Sequence, residues 1–314
     1  MRIDDARKQY VRWLLATRDL SPHTVRAYVH DIAALERQLG EAATLAQIDR
    51  ESLFRFLEDA RHEGLSPRTI RRRASGVRGF CRWLVSNNLL GSDPWIGTPI
   101  PSGRARALPR TVATHHLHQL FKHLRDSAAI HGRRDLLRPL ERPHETTTLL
   151  GVALIVATGV RVNELVSIEY QAIDLLEGSL RLTGKGRRER QVFLANAWLT
   201  DLTRAYLETR VTLEPKHSRL LFDRRLGPLS PAAMRSRLVK AAEGAGIGCR
   251  VTPHMLRHTA ATQLIEAGVD IRYIQRLLGH ASLSTTELYT HVSDRALRRV
   301  VSDADVLQHL VRRR

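Results

Sequence analysis

The chain has little cysteine and no long apolar run. Its 314 residues include two cysteines, Cys81 and Cys249, too few for a disulfide-stapled secreted fold, so we expect two free thiols. No apolar run approaches the roughly 20 residues that a membrane span needs, and the first residues lack the apolar stretch of a signal peptide. We therefore expect a cytoplasmic protein without a membrane partner.

Metal-binding patterns are also scarce. Closely spaced Cys/His pairs, as zinc sites need, do not occur. His144-Glu145 could begin a metalloprotease helix, but the second histidine of that motif is missing because position 148 is threonine. We expect neither a metal nor a cofactor.

Acidic residues are outnumbered throughout. The chain has 50 Lys+Arg against 32 Asp+Glu, a net charge of +18 and a pI near 11.1. Such an excess predicts a polyanionic partner, nucleic acid before anionic membrane. Only five of the basic residues are lysine. A GC-rich genome would favour arginine over lysine, but it would not create the surplus over acids.

Residues 1–98 have the pattern of a small helical bundle. Helices are predicted at Ile3–Ala16, after Ser21-Pro22 as far as Gly40, at Ile48–His62, and after Ser66-Pro67. The last helix has an apolar stripe of Ile70, Ala74, Val77, Cys81 and Leu84. It also has a cluster of arginines that either contact DNA phosphates or form a solvated face: Arg68, Arg71, Arg72, Arg73 and Arg78.

A basic Pro/Gly linker, residues 99–110, leads to a second domain at 111–314. Two short alternating runs, Ser179–Thr183 and Glu189–Leu194, predict a β-hairpin whose connecting turn contains Arg187 and Arg188, two further candidates for DNA contact. The fold class is therefore mainly α, with a small β-hairpin or sheet in the C-terminal domain. The predicted helices of that domain are Ala113–Asp126, Thr146–Thr158, Ala195–Arg210, Pro231–Glu243, His254–Ala267, Ile271–Leu278, Leu283–Val292 and Asp294–Leu310.

The C-terminal domain contains residues suited to cleaving a phosphodiester without metal. Such cleavage needs charge neutralisation at the phosphate, a nucleophile, and a proton for the leaving oxygen. Arginine forks suit the first demand, tyrosine the second, and lysine or histidine the third. Each residue alone has a plainer interpretation: a core tyrosine, an Arg161–Glu164 ion pair, a solvated turn lysine. The candidates, in chain order, are Arg161, Lys185, His254, Arg257, His280 and Tyr289.

These six residues occur in the stretches ATGVRVNEL, GKGRR, TPHMLRHT, LLGHAS and TTELYTHVS. Their order resembles the catalytic set of the tyrosine recombinases, or phage integrases, in their Xer-like branch. The front stretches SPHTVRAYVHDI and SPRTIRRRASGVRGFCRWL resemble that family's helical DNA-binding domain. One departure is His131–Thr147, which is longer than the corresponding Xer connection.

The resemblance implies a two-domain clamp on double-stranded DNA at a specific recombination site, near the nucleoid. It also implies a homotetramer on two DNA sites, with or without a second recombinase or accessory protein. Strand exchange would proceed through a 3′-phosphotyrosine and a Holliday junction. Two rivals stay open: a type IB topoisomerase-like enzyme, and a DNA-binding regulator that has lost catalysis.

The resemblance also implies a role for each residue. Tyr289 would attack the phosphate that Arg161 and Arg257 bind. Lys185 would protonate the leaving 5′-oxygen, His254 would act as general base, and His280 would hydrogen-bond the phosphate.

The last helix has an apolar stripe, which covers either the chain's own core or a neighbouring subunit. The resemblance favours the neighbour. The residues of the stripe are Val300, Ala304, Leu307 and Val311.

Overall fold

The structure is a computed structural model, and it describes residues 1–18, 20, 22–40, 42–98, 111–184, 189–279 and 294–304. The chain divides into two compact units, Met1–Ala107 and Leu108–Arg314. The division falls within the 99–110 segment, which lies outside the described residues. In the described part of the chain, no helix is both long and apolar enough to cross a bilayer.

The described part of the first unit forms four helices around one apolar core. The apolar stripe predicted for the fourth helix is buried: Ile70 is 3% exposed, and Ala74, Val77, Cys81 and Leu84 are fully buried. The side chain of Ser66 caps this helix by accepting from the Thr69 amide. The helices are α1 (Ile3–Thr17), α2 (Pro22–Leu39), α3 (Arg50–His62) and α4 (Pro67–Ser86).

Two boundaries in this unit illustrate local control of helix ends. Helix α2 ends at Leu39 because Gly40 adopts a φ of 101°, which favours glycine. The sequence predicted that helix α3 begins at Ile48, but it begins at Arg50. The reason is that Asp49 caps the helix by accepting from the Ser52 amide.

An ion pair between a buried carboxylate and a half-exposed arginine joins α2 to α4. Asp31 is fully buried, and its two carboxylate oxygens accept from Arg72 at 2.6 and 2.7 Å. Gly76 permits this approach, because a Cβ there would lie 2.7 Å from an Asp31 oxygen. Arg72 therefore compensates a buried charge of the first unit, whatever else it contacts.

The described part of the second unit adds eight helices and a small sheet. Helix α6 is apolar around its whole circumference, and every residue from Thr146 to Thr158 is buried. It packs against α5, α8, α9 and α10 and so forms the centre of the unit. The helices are α5 (Thr114–Ser127), α6 (Pro143–Thr158), α7 (Val162–Ser167), α8 (Ala197–Leu213), α9 (Pro231–Gly244), α10 (Pro253–Glu266), α11 (Ile271–Leu278) and α12 (Asp294–Ala304).

Three antiparallel strands, in the order β1-β2-β3, form the sheet of the described residues. Strands β2 (Ser179–Thr183) and β3 (Glu189–Phe193) are the predicted hairpin, with Leu180 opposite Val192 and Leu182 opposite Arg190. Strand β1 (Ile173–Asp174) was not predicted, because two residues are too short for alternation to be visible. The fold class, mainly helical with a small sheet in the second unit, is confirmed.

The segment His131–Thr147, where the sequence departs from the Xer pattern, is ordered by local contacts. Asp135 accepts from the backbone amides of His131 and Gly132, each at 2.8 Å. A 3₁₀ turn, Arg133–Leu137, then packs against α8, with Leu136 buried and Arg133 donating to Asp201 at 2.6 Å. Through these contacts, the segment that precedes α6 packs against α8.

Helix α12 packs within its own unit. Val301 is 3% exposed, and Ala304 packs against the core. Arg298 donates to Glu177 at 3.0 Å. Within Asp294–Ala304, Val301 is buried whereas the predicted Val300 is only partly buried, and this part of the helix packs against the chain's own core. Docking of the stripe on a neighbouring subunit stays a prediction. Leu307 and Val311 lie outside the described residues.

Candidate active site

The first arginine of the candidate site lies at a sharp turn after α6. Gly159 ends α6 with a φ of 64°, and its amide donates to the Ile155 carbonyl. Arg161 then occupies the N-cap position of α7, and its amide donates to Glu164 at 2.9 Å. This hydrogen bond fixes the backbone of Arg161 independently of the contacts that its side chain makes.

The second arginine reaches the same place from α10. Arg257 is 7% exposed, and its guanidinium donates to the carbonyls of Gly159 at 2.5 Å and Leu278 at 2.7 Å. Arg161 donates to the neighbouring carbonyl of Gly279 at 3.1 Å. Both guanidinium groups therefore converge on the C-terminal end of α11, whose carbonyls attract cations.

Glu164 is the anionic centre of this cluster. It is 8% exposed, and its carboxylate accepts from Arg161 at 2.9 Å and from Arg190 at 3.1 and 2.8 Å. Burial alone would raise the pKa of Glu164, but the hydrogen bonds from Arg190 and Arg161 outweigh it and lower the pKa to about 2. The predicted Arg161–Glu164 ion pair is confirmed.

The cluster has an excess of positive charge. The guanidinium groups of Arg161, Arg190 and Arg257 face the one carboxylate of Glu164, which leaves two positive charges uncompensated among these four side chains. Burial first, and the charge of Arg161 second, lower the pKa of Arg257 to about 10, so it stays protonated at neutral pH. Such a cluster suits a phosphodiester, because guanidinium forks match phosphate oxygens.

His254 lies one helical turn before Arg257 on α10. Burial lowers its pKa, and the positive charges of Arg235, Arg257 and Arg161 lower it further. The imidazole is therefore neutral near pH 7 and can accept a proton, as a general base must.

The remaining members of the predicted set, Lys185, His280 and Tyr289, lie outside the described residues. Gly279 ends α11 with a φ of 62°, as the sequence predicted, and immediately precedes His280. Arg187 and Arg188 also lie outside the described residues.

The arginines of α4 have different surroundings. Arg68 is exposed, whereas Arg72 pairs with Asp31 and Arg73 donates to Glu63 at 3.2 Å with its side chain only 15% exposed. Arg71 and Arg78 are half-buried. The stretch is therefore partly internal structure and not a uniformly solvated face.

Arg190 also belongs to this cluster, although the sequence motifs did not indicate it. A signal was present, because alternation along β3 places position 190 on the same side as buried Val192. A charged residue on an inward position predicts a buried partner. The partner, Glu164, is 26 residues away in the chain and could not be identified from local pattern.

Among the described residues, no group of three or more His, Cys, Asp or Glu side chains could hold a metal ion.

Two family descriptions match the chain. Residues 131–296 match the phage integrase family, and residues 8–88 match the phage integrase N-terminal SAM-like domain.

Similar proteins cover nearly the whole chain. Tyrosine recombinase XerC of Haemophilus ducreyi is 31% identical over 297 residues, 93% of this chain and 91% of that protein. Tyrosine recombinase XerD of Listeria monocytogenes is 31% identical over 304 residues, 95% and 97% of the two chains. A lambda integrase dimer bound to a COC′ core site has the same fold, with a TM-score of 0.68, 18% identity, and coverage of 93% and 100%. The chain therefore belongs to the phage integrase family and is a tyrosine site-specific recombinase of its Xer-like branch.

Proposed function

We propose that the chain cuts and rejoins DNA strands at a specific site through a phosphotyrosine at Tyr289. The observation that carries this proposal is the convergence of Arg161 and Arg257 on the end of α11, in a cluster with two uncompensated positive charges. Only ten residues of sequence lie between Leu278 and Tyr289. A phosphate bound by these arginines is thus within reach of the segment that contains the nucleophile.

The chemistry balances without an external energy source. The Tyr289 hydroxyl attacks the scissile phosphorus and transfers its proton to His254. The bond to the 5′-oxygen breaks, that oxygen takes a proton from Lys185, and the DNA keeps a 3′-phosphotyrosine. Arg161 and Arg257 neutralise the non-bridging oxygens, and His280 hydrogen-bonds the same phosphate. A 5′-hydroxyl from the partner duplex reverses the step and creates a Holliday junction.

DNA binding involves both units in this proposal. The net charge of +18 provides the general attraction to duplex DNA. On α4, the arginines predicted from the sequence contact phosphates, and two of them, Arg72 and Arg73, also pair with Asp31 and Glu63. Arg187 and Arg188 contact DNA from the hairpin turn.

The active assembly is a homotetramer on two DNA sites, alone or with a second recombinase, as the solved lambda integrase tetramer on a Holliday junction suggests. It acts in the cytoplasm, at the nucleoid, where duplex DNA is found.

A nicked suicide substrate tests the proposal. The nick lets the short 5′-hydroxyl strand diffuse away, so religation fails and the covalent adduct accumulates. We expect a protein–DNA adduct with the wild type and none with Tyr289→Phe. Tyr273→Phe, on α11, is the matched control and should retain the adduct.

Two results would contradict the proposal: no adduct with the wild-type chain, or an adduct that survives Tyr289→Phe. Relaxation of a supercoiled plasmid without any recombination site would instead favour the topoisomerase-like activity.

A further inference from the structure

Arg190 connects three parts of the second unit. It lies on β3, with its side chain 13% exposed. Its Nη1 and Nη2 atoms donate to the two carboxylate oxygens of Glu164 on α7, at 3.1 and 2.8 Å. Its Nε atom donates to the Leu277 carbonyl on α11 at 3.1 Å. One side chain thus links the hairpin, α7 and the end of α11.

The Glu164 carboxylate passes this constraint to Arg161. The oxygen that accepts from Arg190 Nη1 also accepts from Arg161 Nη1, and the other oxygen accepts from the Arg161 amide. Without Arg190, the carboxylate would lose two of its four donors and could rotate. The Arg161 guanidinium would then lose its fixed direction.

The same side chain supports the end of α11. Its bond to Leu277 holds the residue next to Leu278 and Gly279, whose carbonyls accept from Arg257 and Arg161. Gly279 also leaves room for it, because a Cβ there would lie 3.1 Å from the Arg190 side chain. Both phosphate-binding arginines therefore rest on a helix end that Arg190 holds.

We propose that Arg190 is a positioning residue for the cleavage step: it fixes Arg161 through Glu164 and fixes the end of α11 directly. The inference rests on the proposed function, in which Arg161 binds the scissile phosphate. Direct DNA contact is a weaker account of Arg190, since all three of its guanidinium nitrogens already donate to internal acceptors.

Lysine cannot replace this arrangement. A guanidinium presents a planar fork that meets both carboxylate oxygens and still has Nε for a third acceptor, whereas an ammonium is a single point of charge. We expect both Arg190→Lys and Arg190→Gln to slow single-turnover cleavage of the nicked substrate by about 100-fold, the usual cost of a misplaced catalytic group. DNA affinity should change less than about twofold, because neither phosphate-binding arginine is removed.

Arg181→Gln provides the matched control. Arg181 lies on the neighbouring strand β2, is exposed, and opposes Gln191. The substitution removes the same charge from the same sheet without touching Glu164, so cleavage should stay within about twofold of wild type. An equal loss in this control would overturn the inference, because charge alone would then explain it.

A double-mutant cycle separates positioning from other roles. If Arg190 acts through Arg161, Arg190→Gln should slow cleavage much less in an Arg161→Lys background than in the wild type, by less than about fivefold. A full 100-fold loss in both backgrounds would overturn the route through Glu164 and Arg161, and a loss that appears in DNA affinity while the cleavage rate is unchanged would overturn the inference as a whole.

A double variant serves as the control for misfolding of Arg190→Gln. Glu164→Gln/Arg190→Gln removes both charges together and leaves no buried carboxylate without its partner. We expect its melting temperature to recover toward the wild type while cleavage stays slow. Recovery of wild-type cleavage together with stability would overturn the inference, because the single variant would then have failed only through misfolding.

The outcomes also separate this inference from the proposed function. If the wild type forms the adduct, Arg161→Lys is slow, and Arg190→Gln cleaves at the wild-type rate, the positioning role alone is wrong. If the wild type forms no adduct, the proposed function itself is wrong.

Discussion

His254 has its pKa set by where α10 lies and not by its own sequence neighbours alone. Burial lowers the pKa, and so do the positive charges of Arg235, Arg257 and Arg161. Only Arg257 is close to His254 in the chain. Burial and the crowding of positive charge therefore both favour the neutral imidazole over the imidazolium.

This arrangement predicts the pH dependence of cleavage. The cleavage rate should rise with pH through an apparent pKa below the usual 6.5 of histidine, because in the proposed mechanism only the neutral imidazole of His254 accepts the tyrosine proton. Single-turnover rates between pH 5 and 8 measure this. In His254→Gln the acid limb should vanish with a slower plateau, and an unchanged limb would contradict the assignment.

Glu164 predicts a pH dependence of stability. Its folded pKa of about 2 lies below the ordinary value of 4.5, so its stabilising effect is complete above about pH 5 and is lost as the pH falls toward 2. The full contribution is on the order of 3 kcal/mol. Urea unfolding at pH 7 and 3.5 should show a larger decrease for the wild type than for Glu164→Gln. Identical decreases would contradict the ion-pair explanation.

At the scale of elements, each unit contains a contact that holds together helices distant in the sequence. In the first unit, the fully buried Asp31 on α2 depends on Arg72 of α4. In the second, α6, α10 and α11 meet at Gly159, where a Cβ would lie 2.3 Å from the Leu278 side chain. Each junction is a place where one substitution changes how two elements pack.

Arg72→Ala should destabilise the first unit by about 3 kcal/mol, because the buried carboxylate of Asp31 then loses the arginine that is hydrogen-bonded to both of its oxygens. Urea unfolding followed by tryptophan fluorescence reports this, since Trp13, Trp83 and Trp95 all lie in that unit. The exposed Arg68→Ala is the control and should cost less than about 0.5 kcal/mol. A comparable loss in both variants would argue against a special role for the Asp31 pair.

Gly159→Ala should cost about 1–2 kcal/mol, because alanine is strained at a φ of 64° and its methyl group displaces Leu278. The Leu278 carbonyl accepts from Arg257, so cleavage should slow as well. Thermal unfolding and single-turnover cleavage measure the two effects. Gly248→Ala, at an open position, is the control. Wild-type cleavage by a stable Gly159→Ala would show that the α11 end tolerates displacement.

At the scale of the whole molecule, positive charge is the main source of attraction to DNA. The net charge of +18 is spread along the chain and not confined to one tail. A duplex held through many phosphates releases counterions, which makes binding strongly dependent on salt. In the proposed function, general affinity therefore comes from basic residues throughout the chain, whereas cleavage depends on the small cluster at the end of α11.

The dissociation constant for duplex DNA should increase by about 10³-fold or more between 50 and 200 mM salt, if roughly six or more phosphates are contacted. Fluorescence anisotropy over a salt series measures the slope. Arg68→Gln should reduce the magnitude of the log–log slope by about 0.9, the contribution of one phosphate contact. A slope near zero for the wild type would contradict a phosphate-dominated interface.

The sequence by itself determined the features that depend on local pattern. Periodicity predicted the buried stripe of α4, Gly40 and Gly279 predicted two helix ends, and alternation predicted β2 and β3. These features need only neighbours within a few positions along the chain. The order of six chemically suited residues likewise indicated the family, which the similar proteins then showed.

Tertiary structure alone decided which charged groups meet. Arg190 and Glu164 are 26 residues apart, and Arg72 and Asp31 are 41 residues apart. A guanidinium in the sequence can pair with any carboxylate that folding brings near, so no local pattern selects its partner. The packing of α2 on α4, and of β3 against α7 and α11, makes that choice, because a charge removed from water is retained only where a partner compensates it.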